Sequence, residues 1–367
     1  MHYYDEEQGE WVEIETEIAY NEETGKWEAI VQVNHLTKFA VLGTSWRPYL
    51  KDRYLTAVAI SQMGWEKADY AVLVRGDNFA DALSAAPLAH KFGGPLLLTR
   101  PKEISQDTLK ELRRLGVKKL FIVGGNAAIS QDVEETVKAL GITVERISGS
   151  DRYETAVKVA EEIGLDSISS VFIANGNNFP DALAASALAA KLGMPVLLTK
   201  REALPESVPS YLKTNQVSEA FLVGGVRVID SRVEEDLSGL TAKTEGTERT
   251  EGAERTERTE RSAGIKVTRL AGEDRYGTNL EVLRHFAANL RWESLYIATG
   301  KDFADGLTGA VLAARTSAPL ILTGEVLPPA AALYLQSVLE PATEVTALGG
   351  ERAVPEALLN TIKDLVP

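Results

Sequence analysis

The sequence predicts an α/β protein built from three tandem repeats of about 100 residues, each folded around a parallel β-sheet. Three observations lead to this prediction. The tripeptide Asp-Arg-Tyr occurs three times, and four further motifs follow each copy in the same order. Short apolar segments also alternate with stretches of helical periodicity, as they do in doubly wound sheets.

The first motif of each repeat opens an amphipathic helix. Asp-Arg-Tyr begins at Asp52, Asp151 and Asp274, and apolar residues follow at helical spacing. An aspartate at this position can cap the helix and interacts favourably with the positive end of its dipole. A structural role is therefore predicted for these aspartates, with the tyrosines packed against the fold.

An apolar strand and a second helix follow in each repeat. The strands end in glycine and occupy residues 70–76, 170–176 and 294–300. Because these runs are continuously apolar, they are predicted to be buried on both faces. A Phe-x-Asp-x-Leu segment then opens a helix rich in alanine and leucine, and its phenylalanines are Phe79, Phe179 and Phe303.

The last two motifs predict further strands. Proline-led apolar runs begin at Pro95, Pro195 and Pro319 and are predicted to lie in the core. A strand closing on a glycine pair follows, at 121–125, 221–225 and 346–350. Glycine there permits positive φ angles and close backbone approach. The pairs do not form a dinucleotide-binding fingerprint, which needs Gly-x-Gly-x-x-Gly.

Two segments depart from this pattern. Residues 241–264 are rich in Thr, Glu and Arg with almost no apolar residue, which predicts a solvated insertion between a helix of repeat two and its last strand, 265–270. Residues 1–44 alternate apolar and polar residues around a turn at 21–25, which predicts a β-hairpin from a small β domain whose other strands lie upstream. The predicted divisions are 1–44, 45–145 (repeat 1), 146–240 (repeat 2), 241–264 and 265–367 (repeat 3).

Composition narrows the classes of function. The net charge is -14, and no basic stripe is present, which argues against a nucleic-acid-binding protein. The absence of cysteine excludes a disulfide framework and thiolate zinc sites. No apolar run approaches the roughly 18 residues of a membrane span, and the polar, acidic residues 1–10 do not resemble a signal peptide. If the protein works outside the cell, its export signal is expected upstream.

Arginines are the main candidate binding residues. One lies in each tripeptide (Arg53, Arg152 and Arg275), and another lies five residues before each aspartate (Arg47, Arg146 and Arg269). A guanidinium group can hold a carboxylate or a phosphate through two parallel hydrogen bonds. The alternative, pairing with a carboxylate inside the repeat, stays open from the sequence.

The aspartates of the Phe-x-Asp-x-Leu segments are the other candidates: Asp81, Asp181 and Asp305. They can interact with the positive end of the helix dipole, accept hydrogen bonds from sugar hydroxyls, or bind a metal. Metal binding is the least favoured of the three, because no second acid recurs nearby. Catalysis has little support, since the four histidines do not recur between repeats and no Gly-x-Ser-x-Gly is present. We therefore predict no catalytic residue, metal or cofactor.

The segment RISGSDRYETAVKVAEEIG, with FPDALAASALAAKLGMPVLLT and FLVGG after it, resembles the cell-wall-binding repeat 2 family. The resemblance covers residues 45–367, although Leu50 replaces the glycine found at Gly149 and Gly272. It implies Rossmann- or toprim-like units, three of which pack in a pseudo-threefold arrangement. It also implies non-covalent anchoring of Gram-positive surface proteins to anionic secondary polymers of the wall.

These observations lead to one expected function and two alternatives. We expect a non-catalytic cell-surface module whose arginines and aspartates bind a teichoic-acid-like or other anionic secondary polysaccharide, with an effector domain upstream. It would bind no nucleic acid. The alternatives are a fragment of an amidase-like wall hydrolase and a surface-layer assembly protein. The expectation requires that the guanidinium groups face a shared groove or an outer surface.

Overall fold

The computed structural model of the protein describes residues 52–165, 169–240 and 264–367, together with six short strands between residues 2 and 46. The chain divides into two units, residues 1–46 and 47–367. The predicted insertion at 241–264 lies outside the described residues except for Gly264.

The first unit contains the predicted hairpin. Its strands are His2–Asp5 (β1), Glu10–Glu13 (β2), Glu17–Asn21 (β3), Lys26–Ile30 (β4), Phe39–Ala40 (β5) and Ser45–Trp46 (β6). β3 pairs antiparallel with β4, and Asn21 lies opposite Lys26, which confirms the hairpin. Residues 22–25 of the predicted turn lie outside the described residues. β1 pairs antiparallel with both β2 and β5, a sheet that the polar composition of residues 1–10 did not predict.

Eleven strands form three parallel sheets in the described part of the second unit. The first sheet contains Tyr70–Arg75 (β7), Leu96–Thr99 (β8), Lys119–Val123 (β9) and Thr143–Ile147 (β10). The second contains Ser170–Asn175 (β11), Val196–Thr199 (β12), Glu219–Val223 (β13) and Lys266–Leu270 (β14). The third contains Ser294–Thr299 (β15), Leu320–Thr323 (β16) and Glu344–Leu348 (β17). The orders are β10-β9-β7-β8, β12-β11-β13-β14 and β16-β15-β17.

Twelve α-helices connect these strands within the same residues. Those of the first repeat are Arg53–Gly64 (α1), Ala85–Lys91 (α2), Gln106–Leu115 (α3) and Gln131–Lys138 (α4). Those of the second are Arg152–Ile163 (α5), Pro180–Leu192 (α6), Ser207–Thr214 (α7) and Ser231–Ser238 (α8). Those of the third are Arg275–His285 (α9), Ala304–Thr316 (α10), Pro329–Val338 (α11) and Glu356–Lys363 (α12).

The local sequence accounts for these elements. All four residues of β8, β12 and β16 are buried, which confirms that the proline-led runs are core strands. Helix α3 begins where the hydroxyl of Ser105 accepts the N–H of Thr108, and it ends at Gly116, whose φ of 71° suits only glycine without strain. Between these caps, Leu109, Leu112 and Leu115 face the core.

The sheets are offset from the sequence repeats by one strand. β10 pairs with β9, and β14 pairs with β13, so each of these strands completes the sheet of the preceding repeat. The predicted boundary at 145/146 falls within β10. The prediction that 265–270 is the last strand of the second repeat is confirmed.

The three helices that follow the Phe-x-Asp motif pack against one another. α6 contacts α2 and α10, and α2 contacts α10. At their amino-terminal ends, the rings of Phe79, Phe179 and Phe303 form a triangle with centroid separations of 5.7, 6.1 and 6.1 Å. Each repeat thus contributes one helix and one ring to a common centre, as a pseudo-threefold arrangement predicts.

Candidate functional site

The aspartate of each tripeptide caps the helix that it precedes. The Oδ1 atoms of Asp52, Asp151 and Asp274 each accept the backbone N–H groups two and three residues further along, at 2.8–3.0 Å. These aspartates satisfy amide groups that would otherwise have no partner at the helix start. The structural role predicted for them is confirmed.

The tyrosine of each tripeptide covers the glycine that ends the next strand. A Cβ atom placed on Gly76, Gly176 or Gly300 would lie 2.7–2.8 Å from a ring carbon of Tyr54, Tyr153 or Tyr276, respectively. No side chain fits in that space, so the ring and the strand end approach each other only because the residue is glycine. The tyrosine thereby fixes the start of the helix against the sheet.

The arginine of each tripeptide lies at the junction between two repeats. The Nη1 atoms of Arg53, Arg152 and Arg275 donate to the carbonyl oxygens that end strands of their own repeats, at 2.6–2.7 Å. The guanidinium carbons lie 5.8–5.9 Å from the centroids of phenylalanine rings in the preceding repeat, and Arg53 closes the cycle onto Phe303 of the third. All three side chains are half-buried, and the side chain of Arg53 is 34% exposed. Each guanidinium group therefore lies beside the phenylalanine triangle, on a side chain that is partly exposed.

The arginines that precede the tripeptides are used inside the fold. The Nε atoms of Arg146 and Arg269 each donate to a glutamate, Glu134 or Glu234, at 2.9 Å. Their Nη1 atoms donate to two backbone carbonyls each, and their side chains are only 16% and 15% exposed. This geometry argues against their prediction as polymer-binding residues, because the guanidinium groups are already paired. Arg47 lies outside the described residues.

The aspartates of the Phe-x-Asp motif pack against the first glycine of each glycine pair. A Cβ atom on Gly124, Gly224 or Gly349 would lie 3.0 Å or less from the Oδ2 atom of Asp81, Asp181 or Asp305, respectively. These glycines have φ angles of 98–121°, so both their conformation and their small size are needed. The sequence predicted the backbone freedom of the pairs but not their contact with these aspartates.

Burial raises the pKa of all three of these carboxyl groups. For Asp181 it raises the pKa to about 6, opposed by the charge of Arg275 and a hydrogen bond from Thr278. For Asp305, burial and the charge of Asp302 raise the pKa to about 6. The pKa of Asp81 is raised by burial against a hydrogen bond from Thr155. Asp181 is only 6% exposed, which argues against its prediction as a direct polymer contact.

Sequence reasoning missed a second set of cations beside the tyrosines. The guanidinium carbon of Arg100 lies 4.5 Å from the ring centroid of Tyr54, and the Nζ atom of Lys200 lies 5.8 Å from that of Tyr153. Both residues directly follow a proline-led strand, where the third repeat has Gly324. The sequence signal for these residues is a cation directly after Leu-Thr at the end of two proline-led strands. The third repeat has no cation at this position.

Other kinds of site find no support in the described residues. Within residues 52–165, 169–240 and 264–367, no group of three His, Cys, Asp or Glu side chains could hold a metal ion. Across the same residues, no helix combines the length and apolar character that crossing a membrane requires. An open cleft of about 490 Å³ lies between the starts of α9 and α11, but three of its four charged residues, Glu273, Asp274 and Glu281, are acidic. That cleft does not suit an anionic ligand.

Comparison with known proteins agrees with the repeat structure. The sequence profile of the family described as Cell wall binding domain 2 (CWB2) matches residues 50–134, 146–234 and 269–359. N-acetylmuramoyl-L-alanine amidase LytC of Bacillus subtilis (strain 168) is 33% identical over 316 residues, which are 86% of this chain and 57% of that protein. The Amidase enhancer of the same organism is 29% identical over 280 residues, 76% of this chain and 35% of that protein. The chain thus spans about half the length, or less, of these relatives.

Two solved structures share the fold. Cwp6 from Clostridium difficile superposes with a TM-score of 0.76 at 25% identity, over 91% of this chain and 50% of that chain. Cwp8 from Clostridium difficile gives a TM-score of 0.75 at 27% identity, over 88% of this chain and 52% of that chain. The profile matches cover each of the three repeats, and this chain belongs to the Cell wall binding domain 2 (CWB2) family.

Proposed function

We propose that this chain is a non-catalytic module that anchors a protein to the cell wall by binding an anionic secondary polymer. The observation that carries the proposal is the cyclic set of arginines Arg53, Arg152 and Arg275, each half-buried at a junction between repeats. Nη1 of each is held by a backbone carbonyl. Arg152 and Arg275 keep further donors at Nε and Nη2, whereas Nη2 of Arg53 already donates to Asp302.

This arrangement suits repeated anionic groups on a flexible polymer. A guanidinium group that is held in place loses little rotamer freedom when it binds a phosphate or carboxylate. Three such groups on one rigid centre raise the effective concentration for the second and third contacts, so weak single contacts add to firm retention. The net charge of -14 does not oppose this, because binding depends on the local cations rather than on the sum.

The proposal includes a location and a partner domain. Two relatives of this chain are named as an amidase and an amidase enhancer, and the match spans 57% and 35% of their lengths. We place this module at the cell surface, beside a domain that carries the activity of the whole protein. The two small sheets of residues 1–46, β2-β1-β5 and β3-β4, are consistent with a segment that joins the module to such a domain.

Retention on purified Gram-positive cell walls tests the proposal. Walls are prepared with their anionic polymers and after acid extraction of those polymers, and binding is measured by depletion at increasing NaCl. We expect retention on intact walls, loss on extracted walls, and weakening with salt, since exposed ion pairs are screened. Equal retention on both preparations would contradict binding to the anionic polymer.

A wall hydrolase is the second candidate, and the similarity to the amidase LytC favours it. We assign hydrolysis to another domain, because the match to LytC spans only 57% of that protein. A turbidity assay on peptidoglycan with the pure chain separates the two. Clearing of the suspension would assign catalysis to this chain.

A further inference from the structure

The residue before each phenylalanine of the central triangle differs between repeats. It is Asn78 in the first repeat, Asn178 in the second and Asp302 in the third. Oδ1 of Asn78 accepts the N–H of Ala80 at 2.9 Å, and Oδ1 of Asp302 accepts the N–H of Ala304 at 3.2 Å. The two side chains therefore make the same turn contact in the same orientation.

The second terminal atom of each side chain differs: it is a charged oxygen in Asp302 and a neutral amide nitrogen in Asn78. Oδ2 of Asp302 accepts a hydrogen bond from Nη2 of Arg53 at 3.0 Å, which forms an ion pair across the junction of the third and first repeats. At the junction where Arg152 lies over Phe79, the corresponding outer atom of Asn78 is an amide nitrogen. An amide nitrogen donates hydrogen bonds and carries no charge, so it cannot neutralise an arginine.

The cations beside the tyrosines also differ in whether a carboxylate pairs with them. Arg100, over Tyr54, pairs with Asp52 at 3.4 Å and with Glu103 at 3.8 Å. Lys200, over Tyr153, is exposed and has no carboxylate within salt-bridge distance among the described residues. The third repeat has Gly324 at this position and therefore no second cation.

We infer that the three junctions are unequal anion sites, and that the strongest is formed by Arg152 together with Lys200, the cation over the ring of Tyr153. Arg275 provides an intermediate site with one unpaired cation. Arg53 provides the weakest, because Asp302 already occupies its free donor. This inference rests on the proposed function and assigns the phosphate or carboxylate groups of the polymer to particular residues.

Electrostatics supports this ranking. An anion that approaches Arg53 has to displace Asp302 and is repelled by it, whereas an anion at Arg152 meets only the neutral Asn78 at that position. Each junction also contains one aspartate of the Phe-x-Asp motif behind its arginine. Arg53 has a further acidic neighbour in Asp77, which has no acidic counterpart in the other repeats and weakens the Arg53 site further.

Structural contributions of the three arginines are closely matched. Each donates to a glycine carbonyl at 2.6–2.7 Å and lies 5.8–5.9 Å from a phenylalanine centroid. Replacing any of them with glutamine removes the same stacking and the same backbone contact, and Arg53→Gln also removes the ion pair with Asp302. The thermal unfolding control therefore has to show that all three variants remain folded. Unequal effects on wall binding then report the charge of the site rather than a loss of fold.

The first experiment compares Arg53→Gln, Arg152→Gln and Arg275→Gln in binding to intact Gram-positive walls at low salt, with thermal unfolding of each variant as a control for folding. We expect Arg152→Gln to weaken binding most, by about tenfold, Arg275→Gln less, and Arg53→Gln least. Lys200→Gln is expected to weaken binding more than Arg100→Gln. Equal losses for the three arginines would overturn the ranking.

The second experiment exchanges the residues that set the difference. Asp302→Asn is expected to raise wall affinity by about threefold, and Asn78→Asp to lower it by a similar factor, because an ion pair between partly exposed side chains is weak. Both exchanges keep the turn contact to the backbone, so folding is preserved.

Failure of the inference and failure of the proposed function give different results. A wild-type chain that is not retained on walls contradicts the function itself. A wild-type chain that binds polymer-dependently, with no response to Asp302→Asn or Asn78→Asp, contradicts only the unequal sites.

Discussion

The guanidinium carbon of Arg152 lies 5.9 Å from the ring centroid of Phe79, which belongs to the preceding repeat. The same relation joins Arg275 to Phe179 and Arg53 to Phe303, each at 5.8 Å. Every repeat therefore supplies a cation to one neighbour and an aromatic ring to the other. The candidate binding groups exist in this geometry only when all three repeats are assembled.

The phenylalanine triangle should contribute strongly to stability. Phe303 is 6% exposed and contacts rings from both other repeats. We expect Phe303→Ala to lower the free energy of unfolding by about 3 kcal/mol, measured by urea denaturation, because the lost ring leaves a cavity. Leu333→Ala is the control: this side chain is 69% exposed and should change stability by less than about 0.5 kcal/mol. Similar effects of the two changes would contradict the role of the triangle.

The glycine pairs offer a matched test of close packing. Gly224 has a φ of 120°, and a Cβ atom on it would lie 2.7 Å from Oδ2 of Asp181, whereas a Cβ atom on Gly225 meets no atom within 4 Å. We expect Gly224→Ala to destabilise the fold by about 1–3 kcal/mol through strain and displacement of Asp181. Gly225→Ala should be nearly neutral. Equal unfolding free energies for the two variants would show that the contact is unimportant.

Much of the fold could be predicted because its signals are local. Apolar runs such as 96–99 and helical spacing after each tripeptide depend on residues close in sequence, and both became core strands and helices. The pairing of β10 with β9 was harder to predict. In the sequence, β10 and the helix after it belong to one motif, but in the structure β10 completes the sheet of the preceding repeat.

The site was only partly predictable, for a different reason. Arg146 and Arg152 belong to one motif, and sequence spacing treats them alike. Arg146 is neutralised by Glu134, on a helix before its strand, while Arg152 faces a ring 73 residues earlier in the chain. Contacts of this kind depend on tertiary geometry, which a single sequence does not specify.

The buried aspartates should make stability depend on pH. Burial raises the pKa of Asp181 from 3.8 to about 6, so the folded state holds this proton more tightly than the unfolded state does. The resulting stability is fully present below pH 3.8 and is lost as the pH rises through about 6. This loss is on the order of 2–3 kcal/mol.

Asp181→Asn should reduce this loss of stability with rising pH. The free energy of unfolding is measured by urea unfolding at pH values from 4 to 8. Asp305 has its pKa raised to about 6 as well, so part of the dependence should remain in the single variant and most should disappear in the double variant with Asp305→Asn. A double variant that keeps the wild-type slope would show that these carboxyl groups are not the cause.

Arg269 and Arg275 separate stability from binding within a single motif. Arg269 is 15% exposed and bonds to Glu234 and two carbonyls, so Arg269→Gln leaves a partly buried carboxylate without its partner. We expect this change to lower the free energy of unfolding by about 2–3 kcal/mol while the folded protein retains its affinity for walls. Arg275→Gln should instead weaken wall binding, with a smaller loss of stability, because its contacts are half-exposed. Binding is measured well below the unfolding temperature of either variant. A loss of affinity in folded Arg269→Gln as large as that in Arg275→Gln would place the polymer against the inner arginines as well.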